Sequence, residues 1–480
     1  MAHHKLIFTV FIIVVALATS CVDDDEKQVE NQDDGVEEID YDALRQDLRH
    51  RLDIMGVEAV EAPEDIDEAL VELGHNLFFD PILSGSRDTN CASCHLMDEG
   101  TSDGRPLSIG TGSVIDDYGE ERPGPQLALT PRNSIELFHR GTDDLRVRFW
   151  DGRMEQLDDG RIVMHEISYS KVEGTYLRIM PEEADNILAA QVMFPVLDRD
   201  ELRGIHGSVD IYGEENELAL VPDHDLEGSW RGLIRRIVEV AEYRQALTEI
   251  YPDVPAEELK FVHAANALSA FITAEFSPDD SPWDRFLLGD DNALSEAQLR
   301  GADLFYGDAK CAACHGGTLM TDQKLYNLAV PPMTRGPDSL MNMDLGAAHR
   351  SHAGPAQEFH FRTPPLRNVE ITGPYMHNGA YPTLERVLRH KMDPIDSLWN
   401  FDDSHLERVF YEQVHVDPEK LARVEATYST RADEVPHLDD EQIDDLIAFL
   451  KSLTSPSSID RRDLNLDAVP SGLPVPQADL

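Results

Sequence analysis

Cys91-Ala92-Ser93-Cys94-His95 and Cys311-Ala312-Ala313-Cys314-His315 are two copies of one five-residue pattern, and together they use four of the five cysteines in the chain. In Cys-x-x-Cys-His both thiols add to the vinyl groups of a c-type haem, and the histidine that follows turns its imidazole onto the iron. A bare Cys-x-x-Cys serves redox and zinc sites equally well, but neither use calls for a histidine at that place in both copies. The repeat predicts two covalently bound haems, with His95 and His315 as their proximal ligands.

Outward from these strings, helical periodicity dominates. Ile66, Ala69, Leu70, Leu73 and Leu77 recur at three- and four-residue spacing behind Asp65, which reads as an N-cap. Further helices are expected over 233–243 and 259–272. Ser295-Glu296-Ala297-Gln298 is a capping box for the helix that enters the second string, and Ile443, Leu446, Ile447, Leu450 and Leu453 form one stripe of a terminal helix. Proline and glycine interrupt the pattern at 104–112, 331–336 and 363–365, so long irregular loops should wrap the haem edges. The chain is expected to be mainly α. A joint between two haem domains is expected within 277–292, with domains at 63–285 and 286–455 and a loose tail at 456–480.

At the amino terminus Lys5 precedes an apolar run from Leu6 to Ala18, too short to span a bilayer as a mature helix. Residues 1–20 read as a secretory signal, and Ala18, Thr19 and Ser20 lead into Cys21, the expected attachment point of a lipid. Export to the periplasm suits haem attachment outside the cytoplasm. The formal net charge is -51, which argues against nucleic acid as a partner. Acid concentrated from Asp23 to Asp42 predicts a solvated tether over 21–62. The remaining acid is suited to steering a cationic electron donor, although solubility alone would give the same composition.

Four strings carry a resemblance. Leu77-Phe78-Phe79-Asp80-Pro81, Phe149-Trp150-Asp151-Gly152-Arg153, Leu366-Arg367-Asn368-Val369 and Pro374-Tyr375-Met376-His377-Asn378-Gly379 are similar, in this order around the two haem strings, to the bacterial di-haem cytochrome c peroxidase and MauG superfamily. The resemblance runs from about Ile66 to Leu453. It implies two cytochrome c-like domains, a peroxidatic haem in the first, an electron-handling haem in the second and a calcium ion between them. Gln191, Pro195 and Glu201 keep the spacing of the family's distal glutamine, a proline and the catalytic glutamate once an insertion of about 154–190 is allowed.

The resemblance makes Glu201 the acid/base and Gln191 its helper. Peroxide bound to ferric iron must lose a proton from its inner oxygen and gain one on its outer oxygen, and one carboxylate above the iron can do both. Trp150 is implied as the relay between haems. Arg153 and Arg367 are expected to pair with haem propionates. Calcium is implied at the Asn133 side chain and the Thr372 and Pro374 carbonyls, all hard oxygen donors.

Two departures from the family pattern bear on mechanism. Ser108-Ile109-Gly110 is followed by Thr111 where better-known peroxidases have a histidine that caps the first haem. A hydroxyl is a poor iron ligand, so the first haem should rest open unless His139, His165 or His206 substitutes. For the distal side of the second haem, spacing from His377 falls on His390-Lys391-Met392. Successive helical residues point about 100° apart, so one of the three faces the iron. Met392 is preferred narrowly over Lys391, with His390 third. The expected function is reduction of hydrogen peroxide with electrons from a small redox protein, a cytochrome c or a cupredoxin. The alternatives are a MauG-like oxidase of a protein residue or organic substrate, and a non-catalytic electron carrier.

Overall fold

The computed structural model describes residues 39–63, 65–115, 121–124, 129–165, 177–333, 343–350, 353–411, 413–414 and 416–476. The predicted signal, Cys21 and the acidic stretch to residue 38 lie outside the described residues. Tyr41–Leu480 forms one compact unit. Its helices are α1 (Tyr41–Met55), α2 (Glu68–Phe79), α3 (Ile187–Val192), α4 (Leu226–Glu239), α5 (Ala241–Ile250), α6 (Phe261–Glu275), α7 (Pro282–Leu287) and α8 (Glu296–Tyr306), followed by α9 (Leu384–Met392), α10 (Pro394–Trp399), α11 (Arg408–Tyr411), α12 (Pro418–Glu425) and α13 (Asp440–Lys451). The strands are short, as a mainly α chain requires.

Two helix crossings built alike organise the molecule: α2 on α6, and α8 on α13. Each depends on a glycine. A Cβ built on Gly74 would lie 1.9 Å from the Ala267 carbonyl oxygen and 2.8 Å from Phe271 Cβ; one built on Gly301 would lie 1.9 Å from the Asp445 carbonyl oxygen and 2.8 Å from Phe449 Cβ. No side chain fits where two backbones approach so closely. Four residues further on, Phe78 lies 5.2 Å from Phe271 and Phe305 lies 5.1 Å from Phe449. The same phenylalanine pair thus closes both crossings, and each first helix leads into a Cys-x-x-Cys-His string.

Two hydrophobic cores surround these crossings. The first runs from Leu73 to Phe276 and includes α3 and α4; the second gathers Trp283, Phe286, Phe305, Phe449 and Leu453. The chain ends do not behave as the composition suggests. Leu44, Leu48 and Leu52 recur at four-residue spacing, so α1 is amphipathic; Leu48 and Leu52 are buried in the second core, and Tyr41 accepts a hydrogen bond from Arg300 at 2.7 Å. The expected tether over 21–62 therefore stops short of Tyr41. The expected loose tail is likewise packed: Leu464, Val469 and Leu473 join the first core, and the Ser471 hydroxyl donates to buried Asp80 at 2.7 Å.

Smaller differences have local causes. Asp67 rather than Asp65 caps α2, accepting from the Ala69 amide at 2.9 Å, while Asp65 adopts a positive φ. The expected helix over 233–243 is two helices, broken at extended Val240. Trp283 and Phe286 of α7 are fully buried in the second core, which puts the joint before Pro282. The insertion supplies strands Met154–Gln156, Ile162–His165 and Leu177–Ile179, which continue from Val147–Arg148 as a four-stranded antiparallel meander.

Candidate functional site

Both haem strings make the same tight turn. The amides of Cys94 and His95 donate to the Cys91 carbonyl at 3.2 and 3.0 Å, and those of Cys314 and His315 donate to the Cys311 carbonyl at 3.2 and 2.9 Å. His95 Nδ1 lies 2.9 Å from the Thr101 carbonyl oxygen, and His315 Nδ1 lies 3.0 Å from that of Met320. Thr101 and Met320 share a positive φ that turns these carbonyls inward. With Nδ1–H so engaged, each Nε2 keeps its lone pair for a metal. Burial presses both imidazoles down to about 4, so they are neutral, as ligands must be. No disulfide joins the cysteines of the two strings, and Cys91 is pushed up to about 12, first by burial and then by the charge of Glu201.

Glu201 thus lies within electrostatic reach of the first string. It sits on a π-helical turn, Arg199–Arg203, capped by the Asp198 carboxylate, which accepts from the amides of Asp200 and Glu201 at 2.9 and 3.1 Å. Such turns recur at functional sites because they re-aim a side chain. Burial, with a smaller contribution from Asp198, raises Glu201 to about 8 against the opposing pull of Arg153. The Ser108–Gly112 loop is pressed on this turn: the Thr111 amide donates to the Glu201 carbonyl at 3.0 Å, and a Cβ on Gly110 would lie 1.7 Å from the Asp200 carbonyl oxygen. The Thr111 hydroxyl is committed to Asp88, at 2.8 Å.

Gln191 comes from α3. Asn186 caps that helix, accepting from the Ala189 amide at 2.9 Å, and also accepts from Ser269 of α6 at 2.9 Å, which fixes α3 on the first crossing. The Gln191 side-chain oxygen is buried with no hydrogen-bond partner, a condition that folded proteins rarely tolerate without a ligand or water. Arg153 lies 4.1 Å over the Phe149 ring and pairs with Asp151 at 3.3 Å; Phe149 in turn meets Phe194, just beyond α3, edge-on at 6.2 Å. Of the substitute ligands considered, His165 is paired with Glu155 at 3.0 Å, His206 lies 3.2 Å from Arg199, and buried His139 neighbours the Arg140 and Arg367 guanidinium groups.

A cavity of about 240 Å³ opens around the second string, and its wall includes Cys311, Cys314, His315, Trp150 and Lys391. Trp150 Nε1 donates to the Asn133 carbonyl at 3.0 Å, and Arg362 N donates to the Trp150 carbonyl at 2.6 Å. Asn133, Thr372 and Pro374, the residues of the implied calcium site, line this same cavity. Among the described residues no group of three His, Cys, Asp or Glu is placed to hold a metal ion.

The three consecutive residues of α9 go three ways. His390 is buried with both ring nitrogens engaged, Nδ1 2.8 Å from the Tyr381 hydroxyl and Nε2 2.9 Å from the Leu328 carbonyl oxygen. Met392 packs in the second core, its sulfur accepting from the Leu438 amide at 3.2 Å. Lys391 faces the cavity, where burial lowers it to about 8. The narrow preference for Met392 is therefore not supported by the side-chain directions.

The sequence reading missed buried Arg148 and Arg362, which accompany the expected Arg367. Arg148 is 1% exposed, and none of its three guanidinium nitrogens has a hydrogen-bond partner. Arg362 and Arg367 each bury one further unpartnered nitrogen, although Arg367 pairs with Asp284 at 2.8 Å and donates to the Thr318 carbonyl at 2.9 Å. Burial and the neighbouring Arg140 and Arg362 guanidinium groups press Arg148 well down. Unpaired cations at this depth call for an anion, and the carboxylates of haem propionates fit that need. Alternation along Val147–Arg148 would have put the valine inside; the structure buries the arginine. The string Arg146-Val147-Arg148 before Phe149-Trp150 was the one available signal.

The family model described as di-haem cytochrome c peroxidase matches residues 68–292. Similar proteins include a cytochrome-c peroxidase of Denitromonas iodatirespirans, 28% identical over 338 residues that cover 66% of this chain and 72% of that one. The methylamine utilization protein MauG of Methylorubrum extorquens is 28% identical over 323 residues, covering 67% of each. A crystal structure of a MauG-like protein associated with microbial copper homeostasis shares the fold, with a TM-score of 0.54 at 23% identity over 85% of this chain and 96% of that one. Two matching haem turns on two matching helix crossings accompany these likenesses, and the chain is similar to the di-haem cytochrome c peroxidases over residues 68–292 and, over two thirds of its length, to MauG.

Proposed function

We propose that the protein is an exported di-haem peroxidase that reduces hydrogen peroxide to water with electrons from a small redox protein. The observation that carries this reading is Glu201, a carboxyl enclosed beside the first haem string and raised to about 8. A haem held by His95, Cys91 and Cys94 would supply the redox chemistry for cleaving peroxide. Glu201 takes the proton from the inner oxygen and returns it to the outer one, and Gln191, with its unpartnered oxygen, orients the donor hydrogens of peroxide or of the protonated carboxyl. Trp150, on the wall of the cavity around the second string, is the indole assigned to carry electrons between the haems. Arg148 joins Arg153, Arg362 and Arg367 as holders of haem carboxylates, and Asn133, Thr372 and Pro374 hold a calcium ion. Secretion through residues 1–20, with lipid on Cys21, places the protein in the periplasm; among the described residues no helix is long and apolar enough to cross a membrane.

Glu201→Gln should lower peroxide turnover by roughly a hundredfold or more, as for loss of a general acid/base, at unchanged haem content. Undiminished turnover removes the assignment. A second reading, oxidation of a protein residue or organic substrate in the manner of MauG, is favoured by threonine at position 111, whose hydroxyl is held on Asp88, in place of a histidine that could cap the first iron. Stoichiometric oxidation of an added substrate without any reduced donor protein would select it.

A further inference from the structure

Lys391 occupies a place that the rest of the fold leaves without a purpose. Its amine faces the cavity that His315 enters and makes no hydrogen bond or ion pair among the described residues. It sits in electrostatic reach of His315 and of both thiols of the second string. A lysine on the outside of α9 would meet solvent and the acidic surface; this one is turned into a cavity whose wall includes Leu384, Leu388, Leu438 and Leu450. Isolated ammonium groups are costly in such surroundings.

The competing side chains are accounted for. His390 on the same helix spends both ring nitrogens, on Tyr381 and Leu328. The Met392 sulfur is turned to the Leu438 amide. Tyr375 donates its hydroxyl to the Glu370 carbonyl at 3.3 Å, and Tyr326 donates to Asp322 at 2.8 Å. The His377 ring is stacked on Phe361 at 3.5 Å. Met333 and Met376 also reach the cavity wall, but they belong to the apolar cluster around Tyr381 and Phe410.

We propose that the Lys391 amine is the distal ligand of the haem iron held by His315, a reading that rests on the two-haem assignment above. On ligation the ammonium gives one proton to solvent and its freed electron pair forms the bond to iron, with no change in oxidation state. An amine opposite an imidazole is a hard nitrogen pair, which favours ferric iron and sets a lower potential than a thioether would.

The test uses the full-length holoprotein in its resting ferric form, read by electron paramagnetic resonance and near-infrared magnetic circular dichroism. The expected wild-type signature is a low-spin haem with a nitrogen pair and no methionine-sulfur charge-transfer band. Lys391→Ala should turn that haem high-spin or open it to added imidazole, and Lys391→Met should create the sulfur band and raise the potential. Met392→Leu should leave all of these signals in place. A low-spin signal that survives Lys391→Ala, or one lost in Met392→Leu with haem content retained, overturns the assignment. Haem content and peroxide turnover of the wild type test the underlying reading separately, because they do not depend on which side chain binds the second iron.

Discussion

Replacing Asp344 by asparagine should cost the holoprotein about 3 kcal/mol. Arg132 forks onto Asp344 with Nε at 2.5 Å and Nη2 at 2.9 Å, and its Nη1 reaches Asp151 at 2.9 Å. The three side chains are almost fully buried. Charge-assisted hydrogen bonds contribute about 1.5–3 kcal/mol each. Asparagine keeps one oxygen for Nη2 and the Gly346 amide but turns an NH₂ toward Nε, so one bond becomes neutral and the other is lost. The full penalty for an orphaned buried ion, about 3–5 kcal/mol, is not reached because Asp151 still balances Arg132. The pH dependence has a definite sign. Asp344 is held well below its ordinary 3.8 by the Arg132 charge and hydrogen bonds, which outweigh burial. Its contribution is therefore fully present above 3.8 and is lost as pH falls toward the folded value. Urea unfolding of wild type and Asp344→Asn, followed through the Soret band at neutral pH and down an acid series, measures both effects. A loss under about 1 kcal/mol, or parallel acid limbs in the two proteins, would refute the reasoning.

Gly301→Ala should destabilise the second crossing by about 1–3 kcal/mol or more, since a Cβ 1.9 Å from a carbonyl oxygen forces the helices apart; differential scanning calorimetry and haem content of the 311–315 site would register it, and an unchanged transition would contradict the close approach. Truncation before Leu464 should lower the melting temperature of the first haem unit, because burial of each Leu or Val side chain contributes about 1.5–3 kcal/mol; an unaltered melt would mean that the tail packs without stabilising.

The parts of the molecule that follow from side-chain chemistry at fixed spacing were legible before any fold was known. The haem turns needed only Cys91 to His95 and Cys311 to His315, and the α-rich character followed from stripes such as Leu73 and Leu77 or Ile443 to Leu450. What escaped is set by tertiary context. Gly74 and Gly301 look like ordinary helix-weakening residues until the partner backbones are seen at their Cα atoms. Arg148 escaped because alternation assigns charge to the outside, whereas its inward turn depends on a neighbourhood assembled from Arg140 and Arg362. Likewise the acid around Leu48 and Leu52 masked a stripe whose partner is α8, hundreds of residues away. His390-Lys391-Met392 shows the sharpest limit: adjacent residues differ by about 100° in direction, and spacing from His377 is uncertain by one residue.

The path of the chain through its two cores is interleaved. Leu48 and Leu52 belong to the second core, Leu73 to Phe276 to the first, Trp283 to Leu453 to the second again, and Leu464 to Leu473 to the first. Neither half is therefore a bead that closes by itself. The interior of the amino-terminal half is complete only once Leu464, Val469 and Leu473 have docked on it. Cutting the gene at the joint would likewise leave each fragment with a strip of its interior on the other.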